Sequence, residues 1–207
     1  MTLKQVQQVV RIGGNSLIAL GANLPSDAGP PAATLLAAVE ALIGVDIRLV
    51  VLSRLFATPC LPAGAGPDFV NAAAVLDTAL PPQALLQRLH AVEARFGRRR
   101  DERWAARTLD LDLIAQGDAV LPDAATWAEW AGLPALDRMA RAPDRLILPH
   151  PRLAERAFVL VPLAEVAPDW RHPVTGRSVL QMRDALPAAE LAAVRPLGDG
   201  QGASPRL

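Results

Sequence analysis

Apolar residues along this chain fall into short runs with two different periods, and the order of those periods predicts a fold. Ser16-Leu-Ile-Ala-Leu20 is a continuous apolar run of the kind buried strands show, and Gly21-Ala-Asn-Leu-Pro25 ends it. Pro31 suits a first helical turn, and Leu35, Leu36, Val39, Leu42 and Ile43 then recur at helical spacing up to Gly44. Asp46–Phe56 is rich in Val, Leu and Ile and reads as a strand. Thr58–Pro67 carries prolines and glycines and reads as a loop, and Phe69–Asp77 as the next strand. Pro81-Pro82 opens a second helix with Leu85, Leu86, Leu89, Val92 and Phe96 on its apolar side, and Gly97 closes it. After an arginine-rich loop comes the strand Thr108–Ala115.

The resulting order is β-α-β-β-α-β. It predicts an α+β fold with a ferredoxin-like core, an antiparallel sheet with helices packed on one face. Further on, Asp123–Ala142 carries Trp127, Trp130, Leu133 and Leu136 and reads as one or two short amphipathic helices. Leu148-Pro-His-Pro151 is a constrained turn, and Glu155–Ala167 and Ser178–Ala185 are candidate C-terminal helices.

Composition narrows the function classes. Twenty-one basic residues balance 21 acidic ones, and a net charge of zero argues against a general nucleic-acid binder. One cysteine, Cys60, excludes an internal disulfide framework. No apolar run is long enough for a membrane span, and the first residues lack the h-region of a secretory signal, so a soluble cytoplasmic protein is expected.

The sharpest chemistry is Thr108-Leu-Asp-Leu-Asp-Leu-Ile114. On a strand, Leu109, Leu111 and Leu113 share one face while Asp110 and Asp112 share the other, with Cα atoms ~7 Å apart. Two bare carboxylates there repel by roughly 2 kcal/mol at an effective dielectric near 20, a cost that a hard divalent cation removes. Just upstream lie Arg95, Arg98, Arg99, Arg100, Arg103 and Arg107, whose guanidinium forks match phosphate oxygens. Together these suit phosphoryl transfer, although the chain has no P-loop. Phe69 and Asn71, two apart on one strand, offer an aromatic face and an amide to a flat, hydrogen-bonding heterocycle. Leu86, His90 and Glu93, spaced by four and three, share a helix face. A palm-type nucleotidyltransferase or a non-enzymatic binding module on the same core would share some of these features.

Arg103-Trp-Ala-Ala-Arg-Thr-Leu-Asp-Leu-Asp-Leu-Ile114 resembles the signature of the 6-hydroxymethyl-7,8-dihydropterin pyrophosphokinase family of folate biosynthesis. Ala19-Leu-Gly-Ala-Asn23, Ala57-Thr-Pro59, Asp68-Phe-Val-Asn-Ala-Ala73, Leu148-Pro-His150 and Arg156-Ala-Phe158 extend the resemblance from Ser16 to about Ala185. The resemblance implies transfer of pyrophosphate from ATP to the pterin hydroxymethyl group, with AMP released. It implies that Asp110 and Asp112 bind two Mg²⁺ ions and that Arg98 and Arg107 serve catalysis, with Arg99 or Arg100 on the same loop. Thr58, Pro59, Leu61, Phe69, Asn71, Trp104 and Phe158 would form the pterin site. Leu86, His90, Glu93, Arg99, Arg100, Arg107, Arg145, His150 and Arg156 would meet ATP.

Some residues depart from the family pattern. The arginine loop is one residue short, Phe69 lacks the hydroxyl of a common tyrosine, His90 stands where glutamine is frequent, and Ile147 replaces a polar residue. Residues 1–15 are expected to be a flexible lead-in, 16–186 the pyrophosphokinase domain with an insertion at about 123–142, and 187–207 a mobile tail. The insertion either covers the nucleotide site or lies on the surface, and the surface is the expectation. The partners expected are the two small-molecule substrates alone, with no nucleic acid and no membrane, and the chain is expected to be a monomer.

Overall fold

The alternation of leucine and aspartate that marks the Thr108–Ile114 stretch is realised as the edge strand of an antiparallel sheet. In the computed structural model, which describes residues 15–60, 66–97, 108–134, 137 and 141–198, the core elements are β1 (Asn15–Ala22), α1 (Pro31–Leu42), β2 (Ile47–Leu52), β3 (Phe56–Thr58), β4 (Phe69–Thr78), α2 (Pro82–Arg95) and β5 (Asp110–Gln116). The C-terminal part adds α3 (Ala124–Ala131), a 3₁₀ turn (Leu153–Glu155), α4 (Ala157–Val166), α5 (Val179–Arg183), α6 (Ala188–Ala193) and a short β6 (Arg195–Pro196). The lead-in expected for residues 1–15 lies, apart from Asn15, outside the described residues.

The sheet runs β5-β1-β4-β3-β6, and β2 also pairs with β4. All pairings are antiparallel, and the core has the ferredoxin-like order expected from the hydrophobic pattern. The second predicted strand, Asp46–Phe56, is not continuous. Its first half pairs with residues 74–78 of β4 and β3 pairs with 69–71. Ser53 bridges the break: its N–H donates to the Ala73 carbonyl and its hydroxyl accepts from the Ala73 N–H, both at 2.9 Å. The chain thereby swings Thr58, expected in a loop, into the end of a strand beside Phe69.

Both sheet faces are covered. Ile18, Leu20, Leu76, Leu109, Leu111 and Leu113 pack with α1 and α2 residues such as Leu35, Leu42, Leu85 and Leu89. On the other face Leu17, Val75 and Ile114 pack with Leu160 and Leu163 of α4 and Val179 and Met182 of α5. A register shift opposite Leu17 and Ile18 lets Leu113 and Ile114, adjacent in sequence, serve opposite faces.

Prolines start the two core helices, Pro31 at the first turn of α1 and Pro82 at that of α2. Gly97, at φ +80°, stops α2. The tail expected from Pro187 is a correction. The described chain continues through α6, Val194 is buried against Phe56 and Ala157, and β6 pairs with β3. Leu191 and Val194 supply the apolar contacts that an Ala-rich composition concealed. Among the described residues no helix is long and apolar enough to cross a membrane.

Candidate active site

β5 leaves α1 and α2 with its leucines and presents Asp110 and Asp112, both half-exposed, to the opposite side. Across the sheet, Asp110 is opposite Gly21, Gly21 is opposite Asn71, and Asn71 is opposite Phe56. Directly opposed residues share a face, so the carboxylates and the Asn71 amide stand on one side of the sheet, separated by a residue with no side chain. A Cβ on Gly21 would lie 3.1 Å from the Asn71 Oδ1. Asn71 is oriented from its other end, where its Nδ2 donates to the Thr58 hydroxyl at 2.7 Å, with both residues buried.

Three further members of the expected pterin site are described, Phe69, Pro59 and Phe158. Phe69 is opposite Thr58 and half-buried, Pro59 is exposed next to it, and Phe158 is 41% exposed at the start of α4. The Arg156 guanidinium lies 5.7 Å from the Phe158 ring centroid. The same arginine donates to Asp112 Oδ2 at 3.1 Å and so ties the aromatic side of the site to the carboxylates. Leu61, Arg98, Arg99, Arg100, Trp104 and Arg107 lie outside the described residues.

A cleft of about 410 Å³ opens at Asp112 and gathers Leu86, Arg145, His150 and Arg156, four of the residues expected at the nucleotide. The His150 N–H donates to the Ile114 carbonyl at 2.8 Å, and its Nδ1 accepts the Arg152 N–H at 3.1 Å. Burial first, then the Arg156 and Arg152 charges, pull its pKa down to about 3. The imidazole is therefore neutral, and since Nδ1 accepts, its proton sits on Nε2, a donor suited to a phosphate oxygen. Arg145 is paired with its neighbour Asp144 at 2.9 Å; hydrogen bond and charge raise the arginine and lower the aspartate.

Two expectations need correction. Glu93 does not line the open cleft: it is 1% exposed and turned inward, and its Oε1 accepts the Leu111 N–H at 2.8 Å. It thus pins the backbone between the two aspartates. The 123–142 insertion is not confined to the outer surface either, because Trp130 and Arg141 line the cleft. His90 sits one turn beyond Leu86, half-buried, and does not line the cleft. Among the described residues, a wider concavity of about 890 Å³ beside Asp27, Glu40 and Arg95 is lined by none of the expected site residues.

Sequence reasoning missed Gln83, Trp130, Arg141 and Arg152, all cleft residues, and Gly21. Arg152 could have been found from its place two residues after His150, on the far side of a proline. Trp127 and Trp130, three apart, carried a helical signal but no indication of what they faced. Among the described residues no group of three or more His, Cys, Asp or Glu side chains converges. A cation held here would take carboxylate oxygens from Asp110 and Asp112. Two hard carboxylates on one strand face, with the backbone between them fixed, fit Mg²⁺ in that mode.

A family model described as 7,8-dihydro-6-hydroxymethylpterin-pyrophosphokinase matches residues 17–168. A Pseudomonas aeruginosa 2-amino-4-hydroxy-6-hydroxymethyldihydropteridine pyrophosphokinase is 39% identical over 171 residues, covering 82% of this chain and 90% of that protein. A Synechocystis protein of the same name is 41% identical over 134 residues, 65% of this chain. The matched stretch spans only 57% of the Synechocystis protein. Among solved structures, Plasmodium falciparum HPPK-DHPS aligns with a TM-score of 0.55 at 13% identity, covering 83% of this chain and 43% of that one, which bears on the fold alone.

Proposed function

The chain belongs to the 7,8-dihydro-6-hydroxymethylpterin-pyrophosphokinase family, and on that premise we propose that it transfers pyrophosphate from ATP to 6-hydroxymethyl-7,8-dihydropterin in folate biosynthesis. The observation that carries this reading is the single sheet face on which Asp110, Asp112, Asn71 and Thr58 stand, with the arginine-lined cleft opening at Asp112. It offers one place for a flat heterocycle and an adjoining place for a polyphosphate.

The hydroxymethyl oxygen attacks the β-phosphorus in line. An O–P bond forms, the bond from that phosphorus to the α–β bridging oxygen breaks, and AMP leaves with the bridging oxygen. The hydroxyl proton is released to solvent. His150 is not the base, since its acceptor nitrogen already takes the Arg152 N–H; its Nε2–H donates to phosphate instead. Arg152 and Arg156 carry positive charge to the same place, and Thr58 sets the direction in which Asn71 reads the ring edge. Phe69 and Phe158 hold the ring face. Positioning and charge stabilisation then account for the rate, with little covalent work for the protein.

Asp110 and Asp112 would hold Mg²⁺, two ions on this reading, which when bound would neutralise polyphosphate charge. Arg98, Arg107, Trp104, Leu61 and one of Arg99 and Arg100 complete the proposal through the resemblance. Monomeric action in the cytoplasm is part of it. The test is incubation with ATP, Mg²⁺ and the pterin. AMP release that requires the pterin is the expected result, and ADP, or pyrophosphate formed without pterin, would refute the reading.

A further inference from the structure

The insertion after β5 does more than lengthen the chain. α3 is anchored at three points. Asp123 caps it, accepting the Thr126 N–H at 2.8 Å. Trp127, 9% exposed, donates its Nε1–H to the Pro149 carbonyl at 2.8 Å. Its ring also meets His172 edge-on, with centroids 4.8 Å apart. The acceptor Pro149 immediately precedes His150, so α3 is fixed against the same turn that carries the phosphate-facing imidazole.

One helical turn on from Trp127, Trp130 is half-buried in the wall of the 410 Å³ cleft. The Arg141 guanidinium lies 5.2 Å from its ring centroid, and Glu129 holds that guanidinium from the other side at 3.5 Å. The lining combines two chemistries. Asp112, Arg145, His150, Arg152 and Arg156 are polar or charged, whereas Leu86, Leu146, Ile147 and Trp130 supply apolar surface. A nucleoside triphosphate needs both: charged partners for its phosphate chain and a flat, apolar surface for its base. Trp130 offers a half-buried indole in that wall, and both bases and guanidinium groups stack on indole.

We propose that α3 and Arg141 form the nucleoside wall of this cleft, with Trp130 as the surface on which the base of a purine nucleotide stacks and Arg141 as its cationic edge. The inference rests on the proposed function for the identity of the co-substrate. It goes beyond that reading by making an insertion residue the determinant of base binding.

The experiment compares the intact wild-type chain with Trp130→Ala, Trp130→Phe and Arg141→Gln. Calorimetry measures affinity for a non-hydrolysable ATP analogue and, separately, for inorganic tripolyphosphate, both with Mg²⁺. Loss of base stacking is expected to weaken the ATP analogue about tenfold in Trp130→Ala. Tripolyphosphate should bind within twofold of wild type, and the KM for pterin should not change. Trp130→Phe should recover most of the loss, and Arg141→Gln should fall between. Trp130 is half-exposed, so its removal leaves the core intact; unchanged tripolyphosphate binding reports this directly. Equal weakening of both ligands, or analogue binding within twofold of wild type in Trp130→Ala, overturns the inference. The outcomes separate it from the function reading. A wild-type chain that releases no AMP from ATP when the pterin is present, yet binds the analogue in a Trp130-dependent way, refutes the reaction and supports the wall.

Discussion

Glu93 links the stability of the fold to the geometry of the carboxylate pair, and Glu93→Ala tests that link. Its side chain is 1% exposed and accepts the Leu111 N–H at 2.8 Å. A hydrogen bond to a charged acceptor contributes about 1.5–3 kcal/mol, and removing the acceptor leaves a buried N–H unsatisfied. The shortened side chain also leaves a void between α2 and β5. A loss of at least about 3 kcal/mol follows, or roughly 6–12 °C in Tm for a chain of this size. Glu93→Gln keeps a carbonyl oxygen against the Leu111 N–H, so it should cost less than Glu93→Ala. Urea unfolding followed by tryptophan fluorescence and far-UV circular dichroism measures both. Because Leu111 lies between Asp110 and Asp112, Glu93→Ala should also raise the Mg²⁺ concentration needed for half-maximal turnover several-fold, measured under conditions where the variant is folded. Unfolding of Glu93→Ala within about 0.5 kcal/mol of wild type would show that this bond does not hold the strand, and would refute the reasoning.

Three further outcomes are expected. Gly21→Ala places a Cβ 3.1 Å from an Asn71 amide that Thr58 prevents from yielding, so the KM for pterin should rise about fivefold with that for ATP unchanged in steady-state assays. Asp112→Asn should lower kcat by about a hundredfold or more while the chain still unfolds cooperatively; turnover within tenfold of wild type would remove Asp112 from the proposed metal site. His172 is 2% exposed, and burial holds its pKa below 6.5 while Nδ1 accepts the Val174 and Thr175 N–H groups at 3.2 and 3.3 Å. Its folded value is depressed, so the unfolded chain binds the extra proton. The stability it contributes is present above about pH 6.5 and is lost as pH falls below it. His150, pulled down to about 3, adds to the same slope. Urea titrations at pH 7, 6 and 5 should therefore show stability falling with pH in wild type and falling less steeply in His172→Gln, and an unchanged slope would contradict the assignment.

The route from Ser16 to Ile114 was legible because its determinants are local. Alternating Leu109, Leu111 and Leu113 against Asp110 and Asp112 can satisfy a buried face and a polar face only as a strand. Prolines at the starts of α1 and α2, and Gly97 after α2, mark boundaries through backbone dihedrals that each residue sets for itself. The carboxylate pair and the His150 turn were visible for the same reason. Glu93 was read correctly as sharing a helix face with Leu86 and His90, but its inward turn depends on the Leu111 N–H, a partner 18 residues away that helical spacing does not reveal.

The sequence by itself therefore determined the order of the core strands and helices and the alternation of faces along β5. Tertiary structure alone decided which of those faces meet. Ser53 breaks the edge strand because its hydroxyl and N–H fit the ladder of β4. α4 and α5 close the second sheet face, and α6 with β6 extends the ordered chain past Pro187, because apolar residues far apart in the chain find each other. α3 turns inward because the Trp127 indole finds the Pro149 carbonyl. Each of these depends on pairing across long loops, where one burial or one hydrogen bond selects among arrangements that local propensity leaves equal.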